Sequence, residues 1–135
     1  MRYVSTRGDA PILGFDEVTL AGLAVDGGLY VPEKMPVLDV SGLVGKSYQE
    51  TAVAVLAPFM AGSVLAGELP DIVVQAYREF EGADVAPLYQ LEEGHDLLEL
   101  FHGPTLAFKD VALQFLGQVF SRLLEKKQER VTIVG

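Results

Sequence analysis

Leu100-Phe101-His102-Gly103-Pro104-Thr105-Leu106-Ala107-Phe108-Lys109-Asp110 decides how this chain is read. It leads into the longest helical periodicity in the sequence, expected from about Thr105 to Lys127. At about 100° per residue, Val111, Ala112, Phe115, Leu116, Val119, Phe120, Leu123 and Leu124 form one apolar stripe. Lys109 falls inside that arc, in line with Leu116 and Phe120. A cation there is disfavoured twice, by burial and by the positive end of the helix dipole. Both effects favour the neutral amine, and a lysine with a lowered pKa is what condensation with a carbonyl compound needs.

The bland alternative is a lysine whose stem lies over apolar surface while its amine stays in water. Three features favour a sheltered amine instead: the rigid approach through Gly103-Pro104-Thr105, the suitability of Thr105 as an N-cap, and the unbroken apolar stripe. Asp110 is expected to favour the positive helix end, with orientation of Lys109 as its alternative role. His102 either lines the same cleft or closes a strand end. In Ser5-Thr6-Arg7-Gly8, Arg7 is an anion contact or part of a turn.

Acidic residues outnumber basic ones by 19 to 10 in a chain of 135, for a net charge of −9. That argues against nucleic acid and anionic membrane as partners, since both need a basic footprint. Cysteine is absent, which removes disulfides, thiolate metal sites and cysteine nucleophiles. The two histidines, His95 and His102, stand seven apart with no companion at metal-ligand spacing, so no metal site is expected. The first residues lack a signal-peptide core, and Thr51 to Ala61 is too short to span a bilayer. A cytoplasmic protein is expected.

Tyr3 to Ser5 reads as an edge strand, Phe15 to Ala24 as a short helix, and Asp26-Gly27-Gly28 as a turn before the extended Leu29-Tyr30-Val31-Pro32. Ser47-Tyr48-Gln49-Glu50 has the form of a capping box opening a helix to about Ala57. Pro70 suits a first helical turn. Leu88 to Leu91 and Leu97 to Phe101 flank Glu92-Glu93-Gly94-His95-Asp96 as a hairpin. The last residues, 131–135, read as a strand following the long helix, as in a βαβ unit. The class is therefore α/β. Residues 1–83 are read as a mostly helical cap and 84–135 as the start of a parallel-sheet α/β unit, the front portion of something longer. An unpaired terminal strand also invites self-association.

Other chemistries fit less well. A phosphate loop would need a second glycine before the lysine and Ser or Thr after it, where Asp110 stands. The carboxylates Glu92, Glu93 and Asp96 form a solvated turn, without the burial that separates the pKa values of an acid–base pair.

Glu99 through Asp110 closely resembles the cofactor-lysine motif of the threonine synthase family, with no departure over twelve residues. Tyr3-Val4-Ser5-Thr6-Arg7-Gly8 is similar to that family's N-terminal start, and Asp26 through Pro32 to its first glycine turn. The resemblance implies a fold-type II pyridoxal-phosphate enzyme, of the tryptophan-synthase-β type, that converts O-phospho-L-homoserine and water to L-threonine and phosphate. It implies that Lys109 holds pyridoxal phosphate through a Schiff base and moves protons at the substrate. It also implies that the phosphate-holding loop follows Gly135, so that this chain alone is inactive. A non-catalytic binding or regulatory module built from the same front end is the alternative.

Overall fold

The structure, a computed structural model, describes residues 1–132. Strand β1 (Tyr3–Ser5) leads to helix α1 (Phe15–Ala21), shorter than the expected run to Ala24 because Gly22 turns the chain at φ 69°. Glu17 accepts a hydrogen bond from the Gly14 amide at 2.8 Å, satisfying a donor at the helix start. Strand β2 (Tyr30–Pro32) pairs antiparallel with β1, Tyr3 opposite Pro32 and Ser5 opposite Tyr30. The expected turn at Asp26-Gly27-Gly28 lies between them, with Gly27 at φ 78°.

Helix α2 (Tyr48–Leu56) opens with the capping box expected from its sequence. Ser47 Oγ accepts from the Glu50 amide at 3.2 Å, and Glu50 Oε2 accepts from the Ser47 amide at 2.8 Å. Helix α3 (Leu69–Tyr77) carries Pro70 in its first turn, where a missing N–H leaves no intrahelical bond unmade. Strands β3 (Leu88–Glu92) and β4 (His95–Leu98) form the expected hairpin, with an irregularity between Gln90 and Glu92. Helix α4 (Asp110–Lys127) follows a loop of eleven residues. The strand expected at 131–135 falls mainly outside the described residues. Val131 and Thr132 carry no regular structure.

The core is the contact of α3 with α4. Ile72, Val73, Ala76 and Tyr77 pack with Val119 and Leu123, and Met60, Leu65, Phe80 and Val85 close the cluster. This core runs through both portions of the chain, on either side of residue 83. The Tyr77 hydroxyl donates to the Val111 carbonyl at 3.0 Å, fixing α3 against the first turn of α4. Tyr48 and Phe80 meet the Tyr77 ring edge to face, with centroids 5.1 and 5.4 Å away.

Helix α4 is apolar on two sides. Val111, Phe115, Val119 and Leu123 follow a spacing of four and face α3. Leu113, Leu116, Phe120 and Leu124 stand on a second side and, with Val131, border an open groove of about 430 Å³. The stripe read from sequence is therefore two faces, only one of which is packed within the chain. No helix among the described residues is long and apolar enough to cross a membrane.

The two faces respond differently to truncation. Leu123→Ala, at a fully buried position, is expected to destabilise the chain by about 2–5 kcal/mol. Leu113→Ala, at a position 51% exposed, is expected to change stability by no more than about 0.5 kcal/mol. Urea denaturation of the two variants measures the difference.

Candidate active site

The β4 end of the loop from β4 to α4 is tied down twice. The Glu99 amide donates to the Pro87 carbonyl at 3.0 Å, and the Glu81 amide donates to the His102 carbonyl at 2.9 Å. His102 Nε2 meets Glu99 Oε2 at 2.7 Å, with both side chains largely covered. Its ring lies against Phe101, centroids 4.7 Å apart. These contacts fix the orientation of the His102 ring. Glu99 was not singled out from the sequence, although its position three residues before a histidine was a usable signal.

Beyond His102 the backbone departs from the expected helix. Helix α4 begins at Asp110, with Lys109 as its N-cap residue. Thr105 lies four residues before that cap position. The reason is local: Leu106 sits in the left-handed region at φ 59° and interrupts any helical path through the loop. Thr105 acts as a donor instead. Its amide and its hydroxyl both donate to Asp110 Oδ2, at 2.7 and 2.8 Å. Gln114 Nε2 adds a longer bond to Asp110 Oδ1 at 3.4 Å.

Asp110 is therefore an interior group, only 3% exposed, with its carboxylate turned onto Thr105. Gly103 lies directly against it. A Cβ on Gly103 would come 2.5 Å from the Asp110 Cβ and 2.6 Å from Oδ2, so the glycine is required by space.

Lys109 is exposed, contrary to the sheltered amine expected from its place on the wheel. The wheel does not extend back through the loop, and the side of α4 that would shelter the residue has no cover among the described residues. Leu106 and Phe108 beside it are 70% and 65% exposed. Lys109 forms no ion pair among the described residues.

Arg7 belongs to a second organised turn. Its Nη1 donates to the Asp26 carbonyl at 2.9 Å. The Asp26 carboxylate accepts from Ser5 Oγ at 2.8 Å, the Gly28 amide at 2.9 Å and the Asp9 amide at 3.0 Å. Gly28 is pressed between these groups: a Cβ there would come 2.3 Å from Ser5 Oγ. Asp26 had been read only as a turn residue. Among the described residues no hydrogen bond joins this turn to the loop of Lys109. Nor do three His, Cys, Asp or Glu side chains gather as metal ligands would among those residues.

Comparison with known proteins identifies the family. The family pattern described as threonine synthase N terminus matches residues 2–77. The chain belongs to the threonine synthase family. A threonine synthase of Pseudomonas aeruginosa is 51% identical over the whole of this chain, which spans 29% of that protein's length. The crystal structure of pyridoxal-phosphate-bound threonine synthase from Brucella melitensis superposes with a TM-score of 0.92 at 50% identity, over 96% of this chain and 29% of that one. The yeast threonine synthase structure gives a TM-score of 0.84 at 38% identity, over 93% of this chain and 27% of that one. The fold is accordingly that of the N-terminal part of the threonine synthase structures.

Two carboxylates make this region acid-sensitive. For Asp110, burial pushes the pKa up, but hydrogen bonds from the Thr105 amide and hydroxyl and from Gln114 outweigh it and hold the group below its usual 3.8. For Asp26, burial again acts upward and is outweighed by bonds from Gly28, Ser5 and Asp9. A depressed folded-state pKa stabilises the fold fully above the unfolded value. The contribution is lost as pH falls from about 4 through the folded value. Asp26→Asn is expected to lower stability at neutral pH and flatten its acid dependence below that point, which denaturant titrations at a series of pH values measure.

Proposed function

We propose that Lys109 is the residue that holds pyridoxal phosphate, and that this chain is the front part of an enzyme converting O-phospho-L-homoserine and water to L-threonine and phosphate. The observation that carries the reading is the amine itself. It stands unpaired among the described residues, at the N-cap of α4, on a loop whose β4 end is hydrogen-bonded to the body of the chain and which leads into Val111, held by the Tyr77 hydroxyl. Its neighbours Leu106, Phe108 and Leu113 offer apolar surface on which a cofactor ring can rest. These residues fit the group: a primary amine attaches its aldehyde, and apolar side chains beside it favour an aromatic ring.

The bound cofactor supplies a conjugated ring that delocalises the electrons left when protons are removed from substrate carbons. Lys109 Nζ is the base that takes such a proton and returns it. His102, held by Glu99, is proposed to border the cleft, with Thr105 and Asp110 fixing the chain below it. Arg7, oriented through Asp26, is proposed as an anion contact for a substrate phosphate. On this reading residues 1–83 form the cap and residues 84–135 open the cofactor-binding unit. The protein belongs to threonine biosynthesis in the cytoplasm, as a carbon–oxygen lyase acting on phosphates.

The chain spans 29% of the length of the threonine synthase it matches, and these 135 residues are proposed to be inactive alone and to self-associate through their open apolar surfaces. Incubation with pyridoxal phosphate, reduction with borohydride and mapping of the adduct should place the label on Lys109. A label spread evenly over Lys34, Lys46, Lys126 and Lys127 would remove Lys109 from the role. Steady phosphate release from O-phospho-L-homoserine by this chain would show that it is not inactive alone.

A further inference from the structure

We infer that Asp110 is the positioning residue for the Lys109 amine: its buried carboxylate, holding both donors of Thr105, sets the shape of the turn from which Lys109 projects. This rests on Lys109 being the cofactor lysine.

Three separate features of the turn support it. Complementing the helix dipole does not require a partner five residues upstream. Asp110 is instead buried at 3% exposure and reaches back five residues to Thr105. Burying a carboxylate is unfavourable unless hydrogen bonds replace water, and the Thr105 amide, the Thr105 hydroxyl and Gln114 provide them. Next, Gly103 is cut back to bare backbone where Asp110 rests, since any Cβ would collide with it. Finally, Leu106 is held at φ 59°, a conformation a bulky residue keeps only where its surroundings impose it.

The geometry then follows. Thr105 and Asp110 form the two ends of a closed turn, and the Leu106 amide donates to the Gly103 carbonyl at 3.0 Å inside it. The Asp110 amide donates to the Ala107 carbonyl at 2.9 Å, closing the turn from the helix side. Lys109 is the last residue before the anchored Asp110, so its Cα–Cβ direction is set by the turn. An exposed amine on a fixed base reaches the same point repeatedly, which is what holding a reacting group in place requires.

The test uses the full chain with Asp110→Asn, Thr105→Val and Thr105→Ser. Two quantities are read: hydrogen exchange of the Thr105 amide, and the ratio of borohydride-trapped pyridoxal phosphate on Lys109 to that on exposed Lys46. Far-UV circular dichroism checks that each variant is folded. Asp110→Asn is expected to raise Thr105 exchange about tenfold or more, the effect of weakening bonds to a charged acceptor, and to lower the labelling ratio several-fold. Thr105→Val should lower the ratio in the same direction, and Thr105→Ser, which keeps the hydroxyl, should restore it. Faster exchange with an unchanged labelling ratio would reduce Asp110 to a structural role and overturn the inference, as would no change in either. If Asp110→Asn does not fold, the Thr105 pair decides: equal ratios in Val and Ser overturn it. If the unsubstituted chain shows no preference for Lys109 over Lys46, the cofactor reading has failed by itself. Reductive methylation of Lys109 relative to Lys46 in the same variants then judges the turn, an unchanged ratio again overturning the role of Asp110.

Discussion

The packing of α3 on α4 is the constraint on which the arrangement depends. Ile72, Val73, Val119 and Leu123 are fully buried there, and burying each such side chain is worth about 1.5–3 kcal/mol. At the far end Arg122 meets Glu68 and Asp71, and Lys126 meets Glu68. These pairs are partly exposed and contribute more to register than to stability. At the near end the Tyr77 hydroxyl holds the Val111 carbonyl, one residue beyond Asp110. The start of α4 is thereby fixed to the core, and the loop bearing Lys109 inherits a rigid base.

Much of the scaffold was legible because its signals are local. Ser47 and Glu50 satisfy each other across one helical turn wherever the chain goes next. The hairpin of β3 and β4 follows from two apolar runs around a glycine, and Pro70 can occupy only a few helical positions. Thr105 was misread because a threonine hydroxyl both donates and accepts. As a cap it would accept from a backbone amide; here a carboxylate five residues on takes its proton. Nothing in the spacing announces that choice, and the left-handed Leu106 that enforces it is a conformation leucine ordinarily avoids. Asp26 was legible only as a turn residue, because its partners Ser5 and Asp9 lie in a distant part of the sequence.

The apolar arc of α4 is broader than one packed face requires. One packed face explains Val111, Phe115, Val119 and Leu123. Leu113, Leu116, Phe120 and Leu124 have no such explanation within α3, and they border the open groove instead. A helix apolar over two sides is built to be covered on both. Whether Lys109 is sheltered therefore depends on what covers the second side, which helical periodicity alone does not specify.

At the start of α4 the chain buries a charge, but it is Asp110 and not Lys109. The dipole argument foretells this ordering once it is applied to both residues. The first turn of a helix offers a positive potential. A carboxylate can be desolvated there because the Thr105 amide and hydroxyl and Gln114 donate to it, while the first N–H groups of α4 are taken by the carbonyls of Ala107, Phe108 and Lys109. An ammonium in the same place would meet only further donors, so it turns outward to water. The anion becomes the fixed point and the cation the free end. On the proposed reading, the Lys109 amine gains its placement in this way without losing access to an aldehyde arriving from solvent, which full burial would have blocked.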